Sequence, residues 1–318
     1  MKTLKRIATV LVLIPLALEL IIRLYVSSHP ASAAALPSVP VPYQHSAYYG
    51  AAFVAEGKRL NSGFTLDDNG FLIPPEFHGI YFNVEHGYRV TTDQPHTSRT
   101  LWLLGASTVF DGQVPDAYTK ASYLQRLVGT AYRVQNLGMQ SIDIGKELSI
   151  LKQQNVRPGD IVMMLDGAPD MFSARETTIN RRQLEPSPCK WLTEHANWSL
   201  LIQAACATAN TPLAPDLTLI RASYDSYARA TIQAHDWTVQ HGAQFYHFLQ
   251  PMIYSAATPG PDADMWRAAY GLYRTTPDTI DLTSVYKGHS DVTFFDEIHT
   301  SEVGNSVVAR ALYDALVF

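Results

Sequence analysis

Two distant segments of the chain carry the side-chain types needed to make and break an ester bond. Ser107 follows the apolar run Leu101-Trp102-Leu103-Leu104 and the turn Gly105-Ala106. A residue placed there, at the start of the segment after a strand, sits where backbone N–H groups point outward and can hold an anion. A serine hydroxyl is a poor nucleophile at neutral pH unless a base removes its proton. Asp296-Glu297-Ile298-His299 can supply that base. An aspartate three residues ahead of a histidine can fold back onto one ring nitrogen and so hold the tautomer whose other nitrogen accepts a serine proton. A serine in a turn or a D-x-x-H pattern is common on its own. Together they make a candidate nucleophile (Ser107), base (His299) and orienting carboxylate (Asp296).

The elements that must bring them together are legible from Thr100 onward. Leu101–Leu104 and Ile161–Leu165 are short apolar runs closed by Gly105 and Gly167 and read as buried strands; Tyr132–Leu137, closed by Gly138, reads as a third strand. Helical patterns intervene: one holds 123–128, and another carries Ile142, Leu148 and Leu151 and ends at Arg157-Pro158-Gly159. A long helix is predicted from about Leu217 to His241, a strand over Gln244–Leu249, and a final helix over Ser301–Leu316 with Val303, Val307, Ala311 and Leu312 on one face. Strands that are continuously apolar and alternate with helices imply an α/β protein with a parallel sheet covered on both faces. Ligands bind such sheets beyond the carboxyl ends of the strands, so the turns at Gly105-Ala106-Ser107, Asn136-Leu137-Gly138 and Asp166-Gly167-Ala168-Pro169-Asp170 should share one edge. Residues 43–99 read as an irregular lead-in with a few strands and no long helical period, packed on the main domain at 100–318; residues 171–214 read as a helical insertion.

Composition narrows the classes. The 318 residues are 47% hydrophobic and 17% charged, which suits a globular chain with a sizeable core. A net charge of -5 gives no basic footprint for nucleic acid. No P-loop, dinucleotide-binding glycine turn or metal-binding H-E-x-x-H is present, and no residue calls for a metal or other cofactor. Lys2, Lys5 and Arg6 precede an apolar run over 7–26, long enough for an inner-membrane signal anchor (residues 1–26) with the remainder outside the cytoplasm. The alternative is secretion after cleavage near Ala31-Ser32-Ala33. Residues 27–42, rich in Pro, Ala and Ser, read as a linker. An extracytoplasmic location permits Cys189 and Cys206 to pair; two buried thiols are the alternative.

The order of these blocks resembles the SGNH/GDSL hydrolase superfamily over about Thr100 to Phe318. Gly105-Ala106-Ser107-Thr108 is similar to its first block, with alanine where aspartate is frequent, and Asp296 and His299 match its last. The resemblance implies a three-layer α/β/α, flavodoxin-like sheet, a Ser-His-Asp triad, and an oxyanion hole built from the backbone N–H groups of Ser107 and Gly138. It departs at Gly167-Ala168-Pro169-Asp170, where Pro169 replaces the oxyanion asparagine and has neither an amide side chain nor an N–H. Thr108, Gln140 and Ser141 are candidates for a substitute donor, and Asp170 is expected to be structural, capping the next helix. The segment 83–89, Asn-Val-Glu-His-Gly-Tyr-Arg, resembles the lead-in of membrane-anchored bacterial members associated with cell-surface polysaccharide.

The expectation is therefore an extracytoplasmic esterase or O-acyltransferase acting on acyl esters, above all acetyl, of a polysaccharide such as cellulose. Tyr81, Phe82, Tyr88 and Phe172 could stack on sugar rings or simply pack. Two other readings stand beside it: a weak or inactive relative that binds glycan or a polysaccharide synthase, and a lipid esterase or thioesterase.

Overall fold

The computed structural model describes residues 40–172, 216–255 and 263–316. From Val41 onward these belong to one compact unit. The anchor, most of the linker, nearly all of the insertion, and Cys189 and Cys206 lie outside the described residues. Among the described residues no helix is long and apolar enough to cross a membrane.

The lead-in holds more regular structure than its sequence announces. Helix α1 (Ala51–Ser62) is followed by an antiparallel hairpin, β1 (Thr65–Leu66) with β2 (Leu72–Ile73). A three-stranded antiparallel sheet comes next, formed by β3 (Phe77–His78), β4 (Asn83–Glu85) and β5 (Tyr88–Arg89). The expectation of no long helix is corrected by α1. Its inward stripe is Phe53, Glu56 and Leu60, and the glutamate hides the apolar period. Buried Glu56 accepts from the backbone N–H groups of Ile80, Tyr81 and Phe82 at 3.0, 2.8 and 2.7 Å. A buried carboxylate thus stands where a helical stripe would normally show another apolar residue.

The main sheet is as expected. Strands β6 (Thr100–Gly105), β7 (Arg133–Asn136), β8 (Ile161–Asp166), β9 (Gln244–Leu249) and β10 (Thr279–Asp281) run in the order β10-β9-β8-β6-β7. All neighbouring pairs are parallel. This is the flavodoxin-like order, with its switch point beside β6. Helices α2 (Ser107–Phe110), α3 (Lys120–Val128), α4 (Ile144–Leu151), α5 (Leu217–Gln240), α6 (Ala263–Tyr273) and α7 (Glu302–Asp314) belong to the same domain. Ile142, expected inside α4, is buried just before it. The helix α6 and the edge strand β10 had no counterpart in the sequence pattern.

Alternation along the strands builds two cores. Leu101, Leu103, Ile161, Met163 and Leu165 pack with Leu124 of α3 and Val308 and Leu312 of α7. Trp102, Leu104, Val162 and Met164 pack on the other face with Leu148 of α4, Tyr227 of α5 and Trp266 of α6. Each buried aliphatic side chain contributes roughly 1.5–3 kcal/mol. Three layers follow directly: helices, sheet, helices. Buried side chains start two of the helices, since Thr119 accepts from Ser122 N ahead of α3 and Asp170 Oδ1 accepts from Ile144 N at the start of α4.

Candidate active site

Ser107 lies where β6 passes into α2. A Cβ on Gly105 would stand 2.7 Å from the carbonyl oxygen of Leu165 and closer still to Val109, so only glycine lets the chain turn there against β8. The short helix α2 is closed by Asp111 in the left-handed region (φ 55°). The lead-in holds that end of α2. The hairpin turn His86-Gly87, both residues at positive φ (55° and 82°), aims β5 so that Arg89 is 1% exposed. Its guanidinium donates to the carbonyls of Phe110, Asp111 and Val114 at 3.2, 3.0 and 2.7 Å and pairs with Asp116 at 2.6 Å. The segment 83–89 thus acts as a clamp on the turn that follows the serine.

Asp296 and His299 occupy a tight loop ahead of α7. Phe295 N donates to the His299 carbonyl at 2.8 Å and Ser301 N to that of Thr293 at 3.0 Å, folding the loop back on itself. Asp296 Oδ1 accepts from the N–H groups of Ile298 and His299, both at 2.9 Å. Its Oδ2 lies 2.7 Å from His299 Nδ1, and His299 Nε2 lies 2.9 Å from Ser107 Oγ. The loop is also tied to the segment that follows β9 through Ile253 N and the Glu297 carbonyl, 2.9 Å. Burial acts to raise the pKa of Asp296, but the His299 hydrogen bond and charge, with the two backbone donors, outweigh it and hold the carboxyl below its ordinary value. An ionised Asp296 accepts a hydrogen bond from Nδ1–H, which leaves Nε2 to accept from the serine hydroxyl.

A cavity of about 220 Å³ opens on these groups, lined by Ala106, Ser107, Ser141, Pro169, Phe172 and the loop 296–299. Pro169 stands at its wall and offers no donor. Gly138 does not reach it, which corrects the expected oxyanion role. Gly138 N–H donates to the buried Asn136 Oδ1 at 2.9 Å, and a Cβ there would press on the backbone of Val109 and Phe110. The glycine is needed for close packing against α2 and its N–H is already used. Ser141, by contrast, borders the cavity and is held at φ 56°. Of the other two donor candidates, Thr108 is buried and spends its hydroxyl on Gln250 Oε1, 3.0 Å, and Gln140 is absent from the cavity lining. Asp170 does not cap the helix after it, which corrects that expectation: it lies within the helical residues 168–172 and accepts instead from Ile144 N of the preceding α4, whose N-cap is Asp143. Among the aromatics only Phe172 lines the cavity; Phe82 and Tyr81 pack against Phe53, and Tyr88 packs on the α4–α6 side core.

A second Asp–His pair shows what the site is not. Asp166 Oδ1 and Tyr227 OH both lie 3.0 Å from His247 Nε2, and Thr279 Oγ1 lies 2.7 Å from Nδ1. Both ring nitrogens are occupied and the pair is almost wholly buried, with no opening for a substrate. Among the described residues no cluster of His, Cys, Asp and Glu has the geometry to hold a metal ion.

No protein-family model matches the chain, and no curated protein matches it in sequence. Solved structures to which the chain is similar include a lipolytic protein of the G-D-S-L family from Veillonella parvula, 10% identical with a TM-score of 0.44 over 69% of this chain and 98% of that one. An acetylxylan esterase from Geobacillus stearothermophilus is 14% identical with a TM-score of 0.43, covering 70% and 95% of the two chains. A lipase from a goat rumen metagenome is 12% identical with a TM-score of 0.45, covering 69% and 97%. Likeness at this level says nothing of chemistry, and the case for a reaction rests on the side chains.

Proposed function

We propose that this protein is a serine ester hydrolase or O-acyltransferase of the SGNH/GDSL kind, with Ser107, His299 and Asp296 as its triad. The observation that carries this is the unbroken line of hydrogen bonds from Ser107 Oγ to His299 Nε2 and from His299 Nδ1 to Asp296 Oδ2, at 2.9 and 2.7 Å. Ser107 Oγ attacks an ester carbonyl carbon as its proton passes to His299 Nε2, and the carbonyl electron pair moves onto oxygen. The N–H groups of Ser107 and Ser141 are the donors for that oxyanion. Collapse expels the alcohol, which takes the proton from His299 and leaves the acyl group on Ser107. Water, deprotonated by the same nitrogen, then releases the acid; a sugar hydroxyl in its place would complete an acyl transfer.

The substrate class follows from cavity and location. A volume of about 220 Å³, with Phe172 and Pro169 in the wall, suits a short acyl group better than a fatty chain, which favours acetyl esters over lipids. The apolar run over 7–26 after a basic start supports a location outside the cytoplasm on the inner membrane, where acetylated polysaccharide is one ester within reach. Ser107→Ala should abolish acetate release from an acetylated glycan and from an aryl acetate; unchanged rates would remove Ser107 from the mechanism. Pro169 gives weight to a second reading, a weak relative that binds glycan or a synthase partner, because losing one oxyanion donor typically costs about 10²–10³ in turnover. Glycan binding without labelling of Ser107 by a fluorophosphonate would favour it.

A further inference from the structure

Behind the site lies a charged side chain that the chemistry does not use. Lys120, the first residue of α3, is 3% exposed. Its ammonium has three protons and three acceptors: the Thr108 carbonyl and Asp111 Oδ1, each at 2.7 Å, and Asn305 Oδ1 at 2.6 Å. Thr108 is the neighbour of Ser107, and Asp111 closes the same short helix. Asn305 belongs to the first turn of α7, where its Oδ1 also accepts from Thr300 Oγ1 at 3.0 Å and its Nδ2 donates to the Tyr118 carbonyl at 3.1 Å. Thr300 is the neighbour of His299. Ser107-Thr108, Lys120, Asn305 and Thr300-His299 therefore form a closed ring, whose last link is the bond from Ser107 Oγ to His299 Nε2. The serine and histidine segments are separated by 192 residues of chain, and this ammonium bridges them directly.

A buried ion pair is a poor device for stability alone. The side chains of Lys120 and Asp111 are each 4% exposed, and apolar residues of similar volume commonly serve a core as well as such a pair. What the lysine provides is direction: a fixed distance from the backbone beside the nucleophile to the first turn of the helix beside the base. We infer, resting on the assignment of Ser107 and His299 as nucleophile and base, that Lys120 is a positioning residue that sets the register of one against the other.

Charge and position can be separated by experiment on the full chain. Lys120→Met leaves Asp111 buried without its partner and should lower the thermal midpoint. Adding Asp111→Asn removes the orphan charge and should restore the midpoint, while kcat on an aryl acetate stays about 10–100-fold below wild type with KM within about twofold, as expected when reacting groups are misplaced by a fraction of an ångström. Asn305→Ala, which leaves the ion pair intact, should lower kcat in the same way and covers the case in which the double variant does not fold. A double variant or an Asn305→Ala variant with wild-type kcat overturns the inference. The ring signals of His299 in NMR spectra provide a readout independent of turnover: they should move in both variants, and unchanged signals overturn the inference. Wild-type protein that neither hydrolyses esters nor labels at Ser107 removes the nucleophile assignment instead, and the His299 signals then decide whether Lys120 sets the register of the pair.

Discussion

Asp296→Asn tests the triad at its most exposed member. Asp296 Oδ1 accepts two backbone N–H groups while Oδ2 faces His299 Nδ1 at 2.7 Å. An asparagine has one orientation that suits the backbone donors, with its carbonyl oxygen toward Ile298 N and His299 N. That places its NH2 against Nδ1, so Nδ1 must carry the lone pair and the ring proton moves to Nε2, where it faces Ser107 Oγ. The reverse orientation sets the NH2 against two N–H groups and is worse. Only in that disfavoured orientation, with the carbonyl oxygen toward Nδ1, could Nε2 accept the serine proton. Two effects are lost with the carboxylate: its charge, which steadies the imidazolium, and its choice of tautomer. The side chain is 51% exposed, so water screens the first. Geometry alone dictates the second, and it survives screening. Turnover should therefore fall about 10³–10⁴-fold, a rise of about 4–5.5 kcal/mol in the barrier. The thermal midpoint should hardly change, since the loop keeps its backbone bonds. Initial rates on an aryl acetate, with the midpoint measured on the same sample, provide the assay. A folded variant within tenfold of wild type would show that Asp296 does not orient the base.

Two further expectations concern neighbouring groups. Pro169→Asn places an amide donor at the cavity wall and should raise kcat by up to about 10²-fold if a missing donor limits turnover; a folded variant with no gain would mean that Ser107 and Ser141 already suffice. Glu147 in α4 is fully buried, neither carboxyl oxygen has a hydrogen-bond partner among the described residues, and burial together with Asp166 and Asp170 pushes its pKa well above the ordinary value. A carboxyl whose folded pKa is raised favours the folded state most below its unfolded pKa, and that contribution is lost as pH climbs through the folded one. Glu147→Gln should thus raise the thermal midpoint at pH 8 and change it little at pH 4; the opposite order would show that the carboxylate is stabilised by its surroundings.

What could be read from sequence divides along physical lines. β6 and β8 are buried on both faces, so their apolar runs are continuous and unmistakable, and a sheet of such strands fixes the edge on which Ser107 must lie. D-x-x-H is legible because its hydrogen bonds close within four residues. Long-range polar demands were not legible. Glu56 reads as a break in a helical stripe because its three backbone partners lie 24–26 residues away. β10 has three residues and pairs only with β9, so neither its length nor its pattern rises above a loop. Gly138 has the look of a donor in a strand-closing turn, yet Asn136, two residues earlier, takes its N–H. Ser141 sits in a left-handed conformation that nothing in a serine announces, and only the folded turn brings it to the cavity. Lys120 likewise looks like any helix-start lysine until the three segments around it are assembled.

The central claim is that Ser107 is a nucleophile activated by His299. The most direct measurement is reaction of the purified protein with a fluorophosphonate, followed by mass-spectrometric mapping of the adduct in wild type and in His299→Ala. The account requires a single adduct on Ser107 that forms far more slowly without the histidine. A wild-type protein that stays unlabelled, or carries its adduct on another residue, would contradict it.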